Sequence, residues 1–453
     1  MSAKSTNRLS SRVWHFGLGG VLLTAGGLIG QRIAAAPTMF GNPNNVVATP
    51  LPQAPVETQW QQDQPDEMNV FEPAEQPVGN TLPEMFRYGP LWLRPHVDYI
   101  FMYGTGFQNT PGSQQDTVLQ ELAPGILLDL GTHWALDYTP TFQFYSSDKF
   151  RDTMNQAVTL TGNVLYEAWT FGLAHNSQWV SAPTVGTGAQ TDQTIHNTTL
   201  SAARALNSKV SLDLDFNQTI TLVSGYEDSY DWSTIEWINY QFLPRLDAGL
   251  GVGGGYVFGE TDGSANNVAA QPGGLNNLDQ YYEQLQGRVN WRATQKISFQ
   301  LNAGLEEREF SAAGAANSLE PVFGAAIQYQ PFKPTQISLA ASRSVSSSDY
   351  YLAAQETETT IVSVNLNQRL FRDFSLAVGA AYSITDYSTP SGTASAAFAN
   401  RSDDQVSFTA RLSHPFLKRG TWSIFYQYAD NSSSQAGYTF ESNQSGLEIS
   451  YSF

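Results

Sequence analysis

The chain has 453 residues, no cysteine and a formal net charge of −18. Those totals exclude a disulfide framework, a thiolate metal site and a cysteine nucleophile, and an acidic balance opposes binding to nucleic acid or anionic surfaces. Charged residues make up only 14% and aromatics 12%, against about 25% charged in a typical soluble domain, so the composition points to surfaces that do not all face water.

The first segment reads as a secretory signal. Lys4, Arg8 and Arg12 precede the apolar stretch Val13 to Gly30, and small residues follow in "RIAAAP", which is the order of a signal peptide over 1–36. Residues 37–86 are rich in Pro, Gln, Asn and acid. They show no sustained period of 2 or 3.6 and are expected to form a disordered periplasmic linker.

From Leu91 the pattern changes. In "KISFQLNAGLEEREF", Ile297, Phe299, Leu301, Ala303 and Leu305 alternate with Ser298, Gln300, Asn302, Gly304 and Glu306. "KVSLDLDFNQ" repeats this, with Val210, Leu212, Leu214 and Phe216 against Ser211, Asp213, Asp215 and Asn217. A period of 2 sends successive side chains to opposite faces of a strand. Eighteen strands are expected, starting near Leu91, Val118, Trp134, Val158, Trp169, Thr194, Lys209, Trp232, Leu246, Tyr281, Lys296, Val322, Gln336, Thr359, Asp373, Gln405, Thr421 and Gly446. At about 10–15 residues these are longer than the globular mode and suit a tilted membrane crossing. Short connections ("GTH", "NS", "PR", "ATQ", "FR") alternate with long polar ones such as "GTGFQNTPGSQQD" and "NSQWVSAPTVGTGAQTD". Short turns at one end and long loops at the other mark a bacterial outer-membrane barrel. The expected fold is therefore all-β: a closed antiparallel transmembrane β-barrel over 87–453.

Closure explains the last residues, "SGLEISYSF". Hydrocarbon tolerates no unpaired strand edge, so this strand is expected to pair with the first, "LWLRPHVDYIFMYG". In such a barrel the apolar parity faces lipid and the polar parity faces the lumen. The lumen-facing candidates are Asp98, Asp137, Asp213, Asp215, Asp247, Arg288, Arg292, Glu306, Arg411 and Glu448, with Asp129 and Glu167 beside them. Acids outnumber bases, which favours cations or neutral sugars over anions. Trp134, Trp169, Tyr240, Phe242, Trp291, Trp422, Tyr451 and Phe453 are expected to form the inner aromatic girdle.

Catalysis has little support in the sequence. His175 and His196 fall near the outer end of one hairpin. A serine–histidine pair there, of the kind outer-membrane lipases carry, has no GxSxG elbow behind it. "YEDSYD" and "GETDG" are acidic enough for Ca²⁺ but lack EF-hand spacing and read as solvated loops. The expectation is a non-enzymatic chain with no cofactor and no resident metal.

"RYGPLWLRPHVDYIFMYGTG", "QELAPGILLDLG", "WALDYTPTFQFYSSDKFRD" and the terminal "LEISYSF" resemble the β-barrel porin-2 type of bacterial outer-membrane protein. The resemblance spans roughly 87–453. It implies a large barrel, in some members linked to exopolysaccharide secretion, and it carries over no catalytic residue. It also implies that the terminal aromatic strand, with Tyr451 and Phe453, is read by the outer-membrane assembly machinery. The leading expectation is a passive, mildly cation-preferring channel for small hydrophilic solutes. The alternatives are an exit pore for exopolysaccharide and a structural or adhesive barrel. Expected partners are outer-membrane lipid and lipopolysaccharide, the assembly machinery, and periplasmic proteins met through the linker. No nucleic acid is expected, and the sequence does not set the oligomeric state.

Overall fold

The alternating segments fold into strands that pair only with their sequence neighbours until the last meets the first. The computed structural model describes residues 86–184, 188–225, 227–261, 279–311, 317–347, 356–371, 373–388 and 401–453. The signal and nearly all of the linker, together with Tyr226 of "YEDSYD" and the last two residues of "GETDG", Asp262 and Gly263, lie outside the described residues.

A two-residue strand, β1 (Arg87–Tyr88), pairs back on β2 (Leu91–Thr110). There follow β3 (Ser113–Leu130), β4 (Trp134–Tyr145), β5 (Thr153–Tyr166), β6 (Trp169–Thr184), β7 (Ala189–Ala205) and β8 (Val210–Val223). Next come β9 (Glu227–Leu243), β10 (Leu246–Thr261), β11 (Gln280–Trp291), β12 (Ile297–Phe310), β13 (Ser318–Phe332) and β14 (Thr335–Ser347). The chain finishes with β15 (Glu356–Leu370), β16 (Phe374–Ser388), β17 (Arg401–Phe416), β18 (Gly420–Ser433) and β19 (Phe440–Ser452). Each of β2 to β18 pairs antiparallel with the next strand, and β19 pairs antiparallel with β2, from Asn443↔Thr105 to Ser452↔His96. Eighteen strands thus close one barrel. Phe453 N–H donates to the Pro95 carbonyl at 2.9 Å, continuing the closing ladder to the last residue.

Most strands that follow long connections start earlier than the alternation predicts, as β3 at Ser113, β5 at Thr153 and β7 at Ala189 do, whereas those after the short turns start within one residue of the expected position. "GTGFQNTPGSQQD" is strand up to Thr110 and again from Ser113, and "NSQWVSAPTVGTGAQTD" is strand up to Thr184 and again from Ala189. Alternation records only the part of a strand with lipid on one side. Beyond the apolar band both faces meet polar surroundings, so the pattern fades while the backbone ladder continues.

Cross-strand register assigns every residue a face. On β12, Leu301 pairs with Val289 and Ala325, and Leu305 pairs with Leu285 and Pro321. Leu301, Leu305 and Leu285 are exposed, at 47%, 52% and 54%, which marks the outer, lipid-facing side. Their neighbours Gln300, Asn302 and Glu306 fall on the inner side. Aromatic pairs ring the short-turn end of the outer face: Trp291 stacks on Phe299 at 5.3 Å, Tyr240 meets Phe242 at 4.8 Å, and Tyr451 meets Phe453 at 5.0 Å.

Candidate functional site: the barrel lumen

The inner parity carries the titratable wall. Asp98 shares the inner face with Ala123 and Ser450, Asp137 with Leu127 and Thr159, and Asp213 with Ala203 and Trp237. Asp215, Asp247, Arg288, Glu306, Arg411 and Glu448 fall on the same side by register. Arg292 follows β11 at its short-turn end, its N–H donating to the Arg245 carbonyl at 2.8 Å. Glu167 lies in the β5–β6 turn, with φ +55, away from the strand walls.

Much of this charge is paired. Arg288 reaches across β10 and β9 to Asp213 and also donates to Asn239 Oδ1 at 2.7 Å, while Asn239 donates to Asp213 Oδ2 at 2.8 Å. Arg411 pairs with Glu448, Arg308 with Glu306 at 2.6 Å, and Arg94 with Asp129 at 2.6 Å. Other acids hold neutral donors: Glu121 accepts from Gln143 at 2.5 Å, Asp137 from Thr139 at 2.7 Å, and Asp247 from Asn290 at 2.8 Å. Two acids of the same wall therefore differ in kind. Asp213 is one half of an ion pair, while Asp215, two residues on, faces the lumen beside it.

A glycine row makes the Arg288 crossing possible. Gly249, Gly251, Gly253 and Gly255 occupy the inner face of β10. A Cβ on Gly251 would lie 2.7 Å from the Trp237 ring, and one on Gly255 would lie 2.3 Å from the Tyr282 ring. Trp237 and Tyr282 pack over this row, and the Arg288 guanidinium rests 4.4 Å from the Trp237 ring centre, a cation–π contact that covers the indole.

The inner face is not polar throughout. Ile100, Met102, Leu119, Phe107 and Phe425 form a buried apolar cluster inside the barrel, each 5% exposed or less. Phe150 joins it from the β4–β5 connection, its ring 6.1 Å from Phe107 and 5.2 Å from Tyr145. That connection folds inward and is strapped down: Ser146 N–H donates to the Val118 carbonyl at 2.9 Å, and Arg151 N–H to Gln190 Oε1 at 2.9 Å. A bulge in β2 between Gly104 and Phe107 inserts one residue and turns Phe107 inward. Gly106 makes the bulge, with φ +78, and a Cβ there would sit 1.9 Å from the Glu441 carbonyl oxygen. The β2–β3 tip then leans over the mouth. Gly112 N–H donates to the Gly437 carbonyl at 2.7 Å, and a Cβ on Gly188 would lie 3.2 Å from Pro111. The lumen is thus narrowed on its long-loop side by an apolar wedge that strict alternation does not anticipate. The run Ile100-Phe101-Met102-Tyr103, apolar on both parities, is the sequence signal of it.

The outer face departs from the rule as well. Glu236 is exposed on the lipid-facing parity of β9, accepting from Thr234 at 2.9 Å. His175, Ser177, His196 and Thr198 fall on that same parity of β6 and β7. The two histidines are therefore mid-strand and outward, rather than near the end of a hairpin. Extension of β6 to Thr184 and of β7 back to Ala189 moves the hairpin end beyond them.

No family model matches the chain, and no characterised protein matches it in sequence. Among solved structures it is similar to OccK2 (OpdF) of Pseudomonas aeruginosa, at 10% identity and TM-score 0.43, covering 80% of this chain and 98% of that one. OccAB3 of Acinetobacter baumannii gives 9% identity and TM-score 0.41, with 80% and 99% covered. A bacterial polysaccharide outer membrane secretin gives 8% and 0.34, with 80% and 98% covered. Likenesses this distant carry no argument about solute or mechanism. The fold itself, read from ladder and register, is a closed antiparallel transmembrane β-barrel of eighteen strands.

Proposed function

We propose that this chain is an outer-membrane channel for passive passage of small hydrophilic solutes, with a mild preference for cations. The observation that carries the reading is the inner wall: eighteen strands enclose a lumen too wide for side chains to fill, and its lining is dominated by Asp, Glu, Gln, Asn, Ser and Thr. Fixed carboxylates raise the local cation concentration over about a Debye length, roughly 10 Å at 0.1 M salt. The apolar wedge of Phe107, Phe150 and Ile100 narrows the route and would limit solute size. Residues 37–86 entering the lumen would blunt conduction, so the test includes their deletion.

The test is single-channel recording in planar bilayers under a salt gradient. A reversal potential on the cation side, shrinking as salt rises, is expected. Replacing both Asp213 and Asp215 by Asn should move it toward anions, because Arg288 then loses its partner. Anion selectivity in the unmodified protein and in the linker deletion, or no conductance in either, would reject the channel and favour a structural barrel.

A further inference from the structure

The outward faces of β6, β7 and β8 carry a connected polar chain bordered by exposed apolar side chains. Ser177 Oγ lies 2.8 Å from His175 Nε2. His175 Nδ1 lies 2.9 Å from Thr198 Oγ1, and the Thr198 hydroxyl donates to Gln218 Oε1 at 3.4 Å. On its other side Ser177 Oγ lies 2.8 Å from His196 Nδ1. The chain has a direction. With the Thr198 proton directed to Gln218, its oxygen accepts from His175 Nδ1–H. That leaves His175 Nε2 as the acceptor for the Ser177 proton, and His196 Nδ1–H then donates to Ser177 Oγ. This is the relation of nucleophile, base and orienting group that activates a serine.

The placement argues against a merely structural network. Ser177 pairs with Val158 and His196, and His175 pairs with Leu160 and Thr198, so all four polar side chains share the lipid-facing parity. His175, six residues above Trp169 and about 15 Å along the barrel axis, still lies within the apolar band, where polar groups are costly and tend to mark function. Apolar surface borders them: Trp179 is 40% exposed, Leu200 46% and Phe216 40%, and the Trp179 ring stands edge-on to His196 at 5.8 Å. Ser177 lies eight residues above Trp169 of the inner girdle, about 20 Å along the barrel axis for a tilted strand. It therefore sits toward the far edge of the apolar band, where lipid esters and interfacial water meet.

We infer that Ser177, with His175 as its base, forms an outward-facing acyl-hydrolase site for fatty-acyl esters of membrane lipid. An acyl chain laid on Leu200, Phe216 and Trp179 brings its ester carbonyl to Ser177. The Oγ adds to the carbonyl carbon as its proton passes to His175 Nε2. The adduct collapses, the bond to the alcohol oxygen breaks, and His175 returns the proton to that oxygen. Water then attacks the acyl-serine, giving a proton to His175, and fatty acid leaves as Ser177 regains its hydrogen. His196 Nδ1–H is a donor beside the attacked carbon, placed to steady the developing oxyanion. Thr198 is a positioning residue that fixes the His175 tautomer.

The experiment uses the full chain in vesicles of phosphatidylethanolamine and phosphatidylglycerol, and separately in vesicles containing lipopolysaccharide. It measures released fatty acid by mass spectrometry and labelling by a fluorophosphonate. Channel conductance in the same preparations reports folding. Labelling at Ser177, with release that falls to background in Ser177→Ala and about 10²-fold or more in His175→Asn, is expected. The vesicle type that yields acid identifies the lipid source. Thr198→Val should shift the pH profile of release while conductance holds. Release equal in the unmodified protein and Ser177→Ala, or a conducting, unlabelled protein with no release from either vesicle, would overturn the assignment.

Discussion

An arginine moved along one strand should cost free energy in proportion to its depth in lipid and, on the other parity, almost nothing. On β12 the outward residues between the Phe299 girdle position and the exposed Glu307 are Leu301, Ala303 and Leu305. Eight residues separate Phe299 from Glu307, about 21 Å along the axis at a tilt near 40°, close to the apolar band of about 25 Å. Ala303 sits at its middle, some 10 Å from either edge, and Leu301 only about 5 Å above the girdle. Arginine at the midplane of such a barrel costs about 2–4 kcal/mol, falling to about 0–1 near the interfaces. Ala303→Arg is therefore expected to lose about 2–4 kcal/mol and Leu301→Arg about half that. Gln300→Arg, on the lumen side, should lose less than about 0.5 kcal/mol and should instead shift the reversal potential toward anions. The assay is denaturant unfolding of the protein in phosphatidylcholine vesicles, followed by tryptophan fluorescence. A flat profile over 301, 303 and 305, or a Gln300→Arg loss equal to that of Ala303→Arg, would refute the register or the membrane placement.

Phe150→Ala trims the wedge in the lumen and should raise single-channel conductance, at a stability cost of about 3 kcal/mol; an unchanged conductance would show that the narrow point lies elsewhere. Asp213→Asn should destabilise the barrel by about 1–3 kcal/mol, because it strips Arg288 of its charged partner. Asp215→Asn, on the same face of β8, should cost less, and equal losses by urea unfolding would contradict the pairing. Gly251→Val drives a side chain into Trp237 and should cost about 1–3 kcal/mol, read as a lower denaturation midpoint and altered tryptophan emission.

The sequence by itself determined the barrel. Lipid on one side and water on the other impose a period of 2, and closure in hydrocarbon requires that the last strand meet the first. Eighteen strands, their order and the parity of Asp213, Arg288 and Glu448 follow from that local rule. Only the tertiary structure decided what depends on groups far apart in the chain. The Asp213–Arg288 pair spans four strands and needs the bare glycine face of β10 between its partners. The apolar wedge needs Phe425 from β18 to meet Ile100 from β2 across the closing seam. The outward Ser177–His175–Thr198 chain reads in sequence as scattered polar residues near a loop. Alternation reports the average partner of a face, whereas a site is made by three or four particular side chains that register alone brings within hydrogen-bonding distance.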